Sequence, residues 1–532
     1  MLLTGSIDPL EYQDWVVVPF VDPRDGSVYD IIDGRVIISL LQPPTSGVVD
    51  PNYFDVERQP NDPVYAQVTY HYYVLQTLSG LTQCSDPAVA GFLAAENLTV
   101  YSEWTAVGGL AVLLPPGQSV TDAVANWPSQ YSSLIASVDP DALCYSDAWP
   151  QQPSNDQQFN QQWHLQPNEV TPNYPMHKPY STDAVAAWLD GTYGNGQAKV
   201  AVIDTGVDYG SADLQWRSTP YGVNTGDSKV STQFRYRYLG GGEPWPDWLN
   251  KSQVYASALG HGTCVAGVIA AAVNNDGNGI YDDRDLVGVA PWAMYVPVAA
   301  KANAYLNSQG KPASQQSYSA VINALYAVAA IKRLDKYLPY QLYGTAFSVP
   351  YYNIEVVNMS FSTKARGTSA TNKLLEDLAE HMVLVASAGN DNQHDINIWP
   401  AIHPKVMCIA AHGEDGMRVP GTNYQDYVDI SAPGSTIYTC DMVGYTTNGL
   451  YYKGFVSPDG IPGVDYWGEN AWMAGTSFSA PMVSAVAAMI ADKYSSMEPD
   501  DIVKRIKDGR ADLNGAEPNL TCGRLDAYLA SH

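Results

Sequence analysis

Short apolar runs that recur between helical stretches are the feature that most constrains the fold of this chain. AKVAVID (198–204), EVVNMSF (355–361) and MVLVASAGN (382–390) are β-branched and apolar, without regular polar alternation. Such runs are typical of strands that are buried on both faces of a parallel sheet. Stretches with helical periodicity lie between these runs, at 317–334 and 369–381. This order predicts an α/β domain with a doubly wound, mostly parallel sheet.

Residues 1–145 have a different character and predict a small α+β unit. GRVIISL (34–40) and GGLAVLL (108–114) are strand-like apolar runs. A helical stretch follows, and Ser119 and Asp122 begin it with the spacing of a helix cap. We expect this unit to fold as a domain that precedes the parallel sheet.

A polar, proline-containing segment without periodicity, residues 146–162, separates the two parts and has the composition of a linker. The predicted organisation is therefore an α+β domain at 1–145, a linker or processing region at 146–162, and an α/β domain at 163–532. With 532 residues and 45% hydrophobic residues, the chain is long enough for two globular cores.

The charge of the chain excludes several classes of partner. Its 28 basic and 55 acidic residues give a formal net charge of −27, which repels nucleic acids and anionic membranes. Its longest apolar runs, 265–273 and 483–491, are too short to span a bilayer. We therefore expect neither a nucleic-acid partner nor a membrane partner.

The cysteines and the first residues bear on the compartment of the protein. Six cysteines are widely spaced and form no CxxC pair, which indicates neither a zinc site nor a small disulfide framework. The first fifteen residues lack the basic and apolar regions of a signal peptide. We therefore expect either a cytoplasmic protein or a secreted protein whose signal has been removed.

Three polar residues stand at positions where a nucleophile and its base would be expected. Asp204 ends a predicted buried strand, and such ends collect functional side chains in parallel sheets. His261 begins an apolar helical stretch directly after Gly260, and Ser477 stands at the start of another, two residues after Gly475. A buried carboxylate can orient an imidazole, which can activate a serine hydroxyl. Taken singly, Asp204 is equally consistent with a turn and His261 with a helix cap.

Asn390 directly follows another predicted buried strand and could stabilise an oxyanion through its side-chain amide. The backbone N–H of Ser477 is a second candidate donor. The alternative is that Gly389 and Asn390 form an ordinary turn after the strand.

Three long motif blocks resemble those of the subtilisin-like serine proteases, the subtilases. They are VIDTGVD (202–208), GHGTCVAGVIA (260–270) and GTSFSAPMVSAVAAMIA (475–491), and the resemblance extends over 156–530. It implies a serine endopeptidase that acts on proteins or peptides. The resemblance implies that Asp204 orients the imidazole of His261, which acts first as general base and then as general acid. It also implies that Ser477 is the nucleophile and that Asn390 lines the oxyanion hole.

The resemblance also implies where a substrate binds. The strand at 356–361 looks like the family strand that pairs with an extended substrate, and 386–389 resembles the second wall of the specificity pocket. The implied substrate-binding residues are Ser360, Phe361, Ser362, Ala386, Ser387, Ala388 and Gly389.

Some positions depart from the family pattern. Ser362 and Thr363 stand where relatives often have glycine, which implies a narrower pocket edge. Cys264 follows His261 by three residues, and its simplest interpretation is a small buried hydrophobic residue. We interpret the aromatic segment 338–353 as a surface insertion.

A loop rich in Asn, Asp and Gly (274–285) indicates a structural calcium ion, because calcium prefers oxygen ligands. The resemblance implies Asp213, Asn275 and Asp156 as ligands. The alternative is a solvated polar turn.

Residues 1–145 resemble, more weakly, the propeptides that fold subtilases and inhibit them until they are cleaved. We therefore expect a secreted, monomeric zymogen that cuts itself between residues 144 and 156. An unrelated N-terminal binding module is the alternative for this unit. For the whole chain, the alternatives are a catalytically silent binding protein and a transpeptidase or macrocyclase with the same triad.

Overall fold

The computed structural model describes residues 17–41, 86–104, 108–146, 149–151, 159–169, 177–207, 212–215, 223–224, 260–272, 286–300, 302–306, 312–332, 352–394, 398–424, 426–447, 450–453, 465–513 and 520–532. We call the described residues up to Ser146 the N-terminal unit. The described residues from Phe159 onward are the C-terminal unit.

The strands follow each other in chain order as β1 (Val17–Val21), β2 (Val28–Leu40), β3 (Thr99–Trp104), β4 (Gly109–Leu113), β5 (Ile135–Ser146), β6 (Trp149–Gln151), β7 (Lys199–Asp204), β8 (Val223–Asn224), β9 (Met294–Ala299), β10 (Ala302–Leu306), β11 (Pro312–Ser317), β12 (Ile354–Met359), β13 (Phe361–Ser362), β14 (Val383–Ser387), β15 (Val406–His412), β16 (Ile430–Pro433), β17 (Ile437–Thr447), β18 (Leu450–Lys453) and β19 (Asp465–Ala474). The helices are α1 (Pro87–Ala95), α2 (Val120–Gln130), α3 (Ala184–Leu189), α4 (Ala212–Gln215), α5 (His261–Ala270), α6 (Tyr318–Ile331), α7 (Ser369–Ala379), α8 (Thr476–Lys493), α9 (Pro499–Asp508) and α10 (Ala527–Ser531).

The N-terminal unit is an antiparallel sheet with helices, as the sequence predicts. Its strand order is β3-β4-β2-β5, and β1 pairs with β2. Helix α2 begins after Ser119, whose side chain accepts from the backbone N–H of Asp122. Trp127 of this helix is buried with Val36 and Ile38 of β2 in the core of the unit. The predicted helix cap and the predicted α+β character are both confirmed.

The C-terminal unit is built on a seven-stranded sheet in the order β16-β15-β14-β12-β7-β9-β8. Every neighbouring pair in this sheet is parallel. Alternate residues of β7 enter two different apolar cores: Ala201 and Ile203 lie in one, and Val200 and Val202 in the other. Because both faces of the strand are buried, its residues are apolar without alternation. The predicted doubly wound α/β fold is confirmed.

Helices cover both faces of this sheet. Helices α6 and α7 contribute to the core that contains Ile203, while α5 and α8 contribute to the core that contains Val202. Helices α5 and α8 begin at His261 and Thr476, so two of the motif blocks stand at helix N-termini.

Strand β5 joins the two units, because its last residues leave the N-terminal sheet and pair with the C-terminal unit. On one side, Leu143–Tyr145 pair antiparallel with Gln315–Ser317 of β11. On the other side, Tyr145 and Ser146 pair with Ser362 and Phe361 of β13. The end of β5 therefore lies as a strand between two strands of the C-terminal unit.

The predicted linker is only partly irregular. Strand β6 lies within it and pairs with Trp472–Ala474 of β19. A short segment such as Trp149–Gln151 can form a strand when a distant edge offers hydrogen bonds, and local composition does not reveal such an edge. Of the segment 338–353, only Tyr352 and Asn353 are among the described residues.

None of the helices within the described ranges combines the length and the apolar character that crossing a bilayer requires.

Candidate active site

Asp204 is the last residue of β7 and is buried, with 1% of its surface exposed. Its Oδ1 accepts a hydrogen bond from the backbone N–H of Thr205 at 2.7 Å. Both carboxylate oxygens also lie within hydrogen-bond distance of Nδ1 of His261, at 2.8 and 3.0 Å. The buried carboxylate is therefore paired, as its burial requires.

His261 is the first residue of α5, and it is also 1% exposed. An ionised Asp204 can only accept, so Nδ1 of the imidazole carries the hydrogen and Nε2 is left as an acceptor. This Nε2 atom is buried and has no hydrogen-bond partner among the described residues. The ring lies 5.6 Å, centroid to centroid, from the ring of Phe478, the residue that follows Ser477. The free acceptor is thus close to the start of α8.

A glycine allows α5 to come this close to β7. A Cβ at Gly262 would lie 2.2 Å from the carbonyl oxygen of Gly206 and 3.0 Å from Cβ of Asp204. The backbone N–H of Gly262 donates to Oγ1 of Thr205 at 3.1 Å. The residue after the histidine therefore needs to be glycine for the Asp204–His261 contact to form.

Ser477 is the second residue of α8 and is fully buried. Its hydroxyl donates to the carbonyl of Ser360 at 3.1 Å, and the hydroxyl of Ser360 donates to the carbonyl of Ser477 at 2.8 Å. The second bond is possible because Pro481, four residues on, has no N–H for that carbonyl. Ser360 and Ser477 are therefore held together by two reciprocal hydrogen bonds.

Asn390 follows β14 and lies against the N-terminus of α8. Its Oδ1 accepts from the backbone N–H and the hydroxyl of Thr476, at 3.1 and 3.3 Å. These donors fix the orientation of the amide, and they leave Nδ2 buried without a partner in the described part of the chain. An unused N–H donor beside the serine helix is suited to an oxygen that gains negative charge.

The predicted substrate-binding residues lie along two neighbouring strands. Ser360 links β12 and β13, and Phe361 and Ser362 form β13, which pairs with the end of β5. Ala386 and Ser387 end β14, and Ala388 and Gly389 follow it. The latter residues lead directly into Asn390.

Asn423 is a residue of this region that the sequence did not reveal. Its Nδ2 donates to the carbonyl of Ala388 at 2.9 Å, and its Oδ1 accepts from the backbone N–H groups of Asp391 and Gln393 at 3.1 and 3.0 Å. It therefore fixes the turn that carries Asn390. No periodicity or motif marks this position, because its role depends on a contact with a distant part of the chain.

Cys264 lies on α5 and is 1% exposed, in line with its interpretation as a small buried hydrophobic residue.

Of the three predicted calcium ligands, only Asp213 is described; Asn275 and Asp156 lie outside the described residues. Asp213 is 8% exposed, and its carbonyl accepts from the backbone N–H of Ala272 at 2.7 Å. Within the described ranges, no three His, Cys, Asp or Glu side chains gather in a group suited to a metal ion.

Comparison with known protein families identifies the class to which this chain belongs. The profile of the subtilase family matches residues 195–524, which is more than half of the chain. The chain therefore belongs to the subtilase family, and the resemblance seen in its motif blocks is confirmed.

Two relatives illustrate how far the sequence of this chain has diverged from other members of the family. Halolysin of Haloferax mediterranei is 25% identical over 67% of this chain and 53% of its own length. Thermitase of Thermoactinomyces vulgaris is 27% identical over 68% of this chain and 99% of its own length. This chain thus spans about half of the first relative and almost all of the second.

Among solved structures, fervidolysin from Fervidobacterium pennivorans, described as a keratinolytic enzyme related to subtilisin, superposes with a TM-score of 0.59. The superposition covers 97% of this chain and 63% of that chain, at 18% identity. At this identity, the similarity establishes the fold alone.

Proposed function

We propose that this protein is a serine endopeptidase that hydrolyses peptide bonds through an acyl-enzyme. The observation that carries the proposal is the Asp204–His261 pair, which leaves Nε2 of His261 as an unused buried acceptor beside the helix of Ser477. Membership of the subtilase family supports it.

The proposed reaction begins when the Ser477 hydroxyl turns from the Ser360 carbonyl towards Nε2 of His261. The oxygen attacks the substrate carbonyl while its proton passes to Nε2, and Asp204 stabilises the imidazolium. Asn390 Nδ2 and the backbone N–H of Ser477 donate to the oxyanion. The imidazolium then protonates the leaving amine. Water releases the acyl group by the same steps, and the hydroxyl of Ser477 is restored.

We propose further that the N-terminal unit is a propeptide that occupies the substrate groove. Strand pairing of Leu143–Ser146 with β11 and β13 is the main-chain mode by which an extended peptide adds to a sheet edge. The pairing of β5 with β13 is antiparallel, so the last residue of β5, Ser146, lies opposite Phe361, next to Ser360, the hydrogen-bond partner of Ser477. Self-cleavage would then occur shortly after Ser146, within the predicted window 144–156.

The remaining proposals concern the setting of the enzyme. Its substrates would be proteins or peptides, and it would act as a monomer outside the cell. One relative, 27% identical over 77% of this chain, is named an extracellular basic protease of Dichelobacter nodosus. A structural calcium ion would bind near Asp213, whose carbonyl holds Ala272, two residues before the Asn- and Asp-rich loop.

The experiment compares wild-type protein with Ser477→Ala on casein and on the chain's own junction. Wild type is expected to digest casein and to fall below full-length mass. The variant is expected to do neither, because loss of a triad member typically lowers turnover by about 10⁴-fold to 10⁶-fold. Intact casein with both proteins would favour a binding protein. Ligated products from a peptide mixture would favour a transpeptidase.

A further inference from the structure

The N-terminus of α6 holds a carboxylate that comes from the N-terminal unit. Asp141 of β5 is fully buried, and its Oδ1 accepts from the backbone N–H of Ser319 at 3.1 Å. Its Oδ2 accepts from the hydroxyl of Ser319 at 3.0 Å. Ser319 is the second residue of this 14-residue helix. Both oxygens of one carboxylate are therefore bound by one residue of the C-terminal unit.

The residues of the C-terminal unit that surround the Asp141 carboxylate, at the N-terminus of α6, are buried and polar. Ser319 is 4% exposed, and Ser317 is 3% exposed. The hydroxyl of Ser317 accepts from the backbone N–H of Ala320 at 3.1 Å and lies 3.0 Å from the hydroxyl of Ser319. One N–H of the first turn is thus capped by Ser317, and another, that of Ser319, is satisfied by Asp141. The helix dipole favours negative charge at this end.

Asp141 also has two partners within its own unit. Its Oδ2 accepts from the hydroxyl of Tyr101 at 2.9 Å, and Arg35 lies 4.0 Å from the same oxygen. Burial raises the pKa of Asp141, and these contacts oppose the rise. In an enzyme that has lost the N-terminal unit by the proposed cleavage, Tyr101 and Arg35 would be absent, whereas Ser317 and Ser319 would remain.

The carboxylate stands in a fixed position relative to the substrate groove. Leu143, two residues after Asp141, pairs with Ser317, and Tyr145 pairs with both Gln315 and Ser362. The same strand therefore enters the groove and brings its acidic residue to α6. A peptide that binds in the register and conformation of β5 would present its equivalent residue to Ser319.

We propose that the N-terminus of α6 is a distal subsite of the enzyme that binds a carboxylate side chain of the substrate, two residues before the residue that pairs with Ser317. This inference rests on the proposed function. Peptide and protein substrates with Asp or Glu at this position would bind more tightly than their amide counterparts. The site would act on binding rather than on the chemical step, because it lies away from Ser477 along the groove.

Three peptides of residues 137–151 test the proposal on self-processed enzyme from the full chain. One has the native sequence, one carries Asp141→Asn and the matched control carries Asp139→Asn. Asp139 is also buried, but it pairs with Arg24 inside the N-terminal unit, at 2.6 Å. Mildly alkaline solution keeps the carboxylates ionised. We expect Asp141→Asn to raise KM by about threefold to tenfold with kcat unchanged, and Asp139→Asn to leave KM as it is.

A double-mutant cycle adds the enzyme side. In Ser319→Ala enzyme, which lacks one of the two donors, the ratio of KM values between the Asp141→Asn peptide and the native peptide is expected to shrink. Equal KM values for all three peptides on wild-type enzyme would overturn this inference while leaving the peptidase assignment intact. If no peptide is cut, the proposed function fails, and the subsite falls with it. If Ser319→Ala does not fold, the KM values of the three peptides on wild-type enzyme are sufficient to test the proposal.

Discussion

The hydroxyl of Ser477 donates a hydrogen bond to the carbonyl of Ser360, at 3.1 Å, and not to an imidazole. Nε2 of His261 has no partner in the described part of the chain. Hydrogen bonds of a catalytic site are often incomplete without substrate and tighten in the complex. A turn of the Ser477 side chain is therefore the movement that the proposed reaction requires first.

The first prediction concerns this movement. A fluorophosphonate reagent is expected to label Ser477 in wild type, because the reagent needs an activated hydroxyl. In His261→Ala the hydroxyl keeps its bond to Ser360 and has no base, so labelling should disappear and kcat should fall by about 10⁴-fold or more. Mass spectrometry of the labelled peptide measures this. Ser484→Ala, on the same helix, is the control and should be labelled like wild type.

Asn390 gives a second prediction. Asn390→Ala removes the unused Nδ2 donor, and kcat is expected to fall by about 10²-fold to 10³-fold while KM changes little. Steady-state kinetics on a peptide substrate separates the two constants. A rise in KM at constant kcat would show instead that Asn390 binds the ground state.

Much of this architecture could be predicted from local sequence, because burial on both faces leaves a readable pattern in a strand. Residues such as Val200 and Ile203 must be apolar wherever they occur in a central strand. Asp204 and Asn390 could be proposed as site residues for a related reason, since each stands at or just past the end of such a strand.

Contacts between distant segments could not be predicted in this way. Asn423 fixes the turn of Asn390 through a bond to Ala388, 35 residues away along the chain, and no local pattern encodes it. The pairing of β6 with β19 likewise depends on a free strand edge elsewhere in the fold, which the sequence of the linker does not predict. The bond of Ser477 to Ser360 depends on a side-chain rotamer, which sequence leaves open.

The third prediction compares two glycines, Gly262 in a crowded position and Gly91 in an open one. Gly262→Ala is expected to destabilise the protein by about 1–3 kcal/mol and to lower kcat, because its Cβ would meet the Gly206 carbonyl and push α5 away from Asp204. A Cβ added at Gly91, inside α1, would have nothing within 4 Å, so Gly91→Ala should stabilise by about 0.5–1 kcal/mol. Thermal unfolding in a Ser477→Ala background, which prevents autolysis, measures the two stability changes, and steady-state kinetics of Gly262→Ala with Ser477 intact measures kcat. Equal effects of the two substitutions would refute the packing argument.

The calcium proposal leads to a fourth prediction. An ion that binds only the folded state raises the free energy of unfolding, so a chelator should lower the melting temperature, and added calcium should restore it. Magnesium is the control, because it fits such oxygen-rich loops poorly. An unchanged melting temperature would count against a structural calcium ion and in favour of a solvated loop.

The last prediction concerns Asp183, which precedes α3 with a left-handed backbone, φ 55°. Burial raises its pKa to about 6, and the nearby Asp526 adds to the rise, while Arg524 and a hydrogen bond from the backbone N–H of Asn168 oppose it.

Because the folded pKa lies above the unfolded value, the native state holds the proton more tightly, and stability falls as the pH rises through this range. Asp183→Asn keeps an oxygen acceptor and tolerates the left-handed backbone, but it carries no charge. At about pH 8 the variant should therefore be more stable than wild type by about 1–3 kcal/mol, and the difference should vanish near about pH 4. Denaturant unfolding at the two pH values, again in a Ser477→Ala background, measures this difference. A gain for Asp183→Asn that is the same at both pH values would mean that its charge is not the cause.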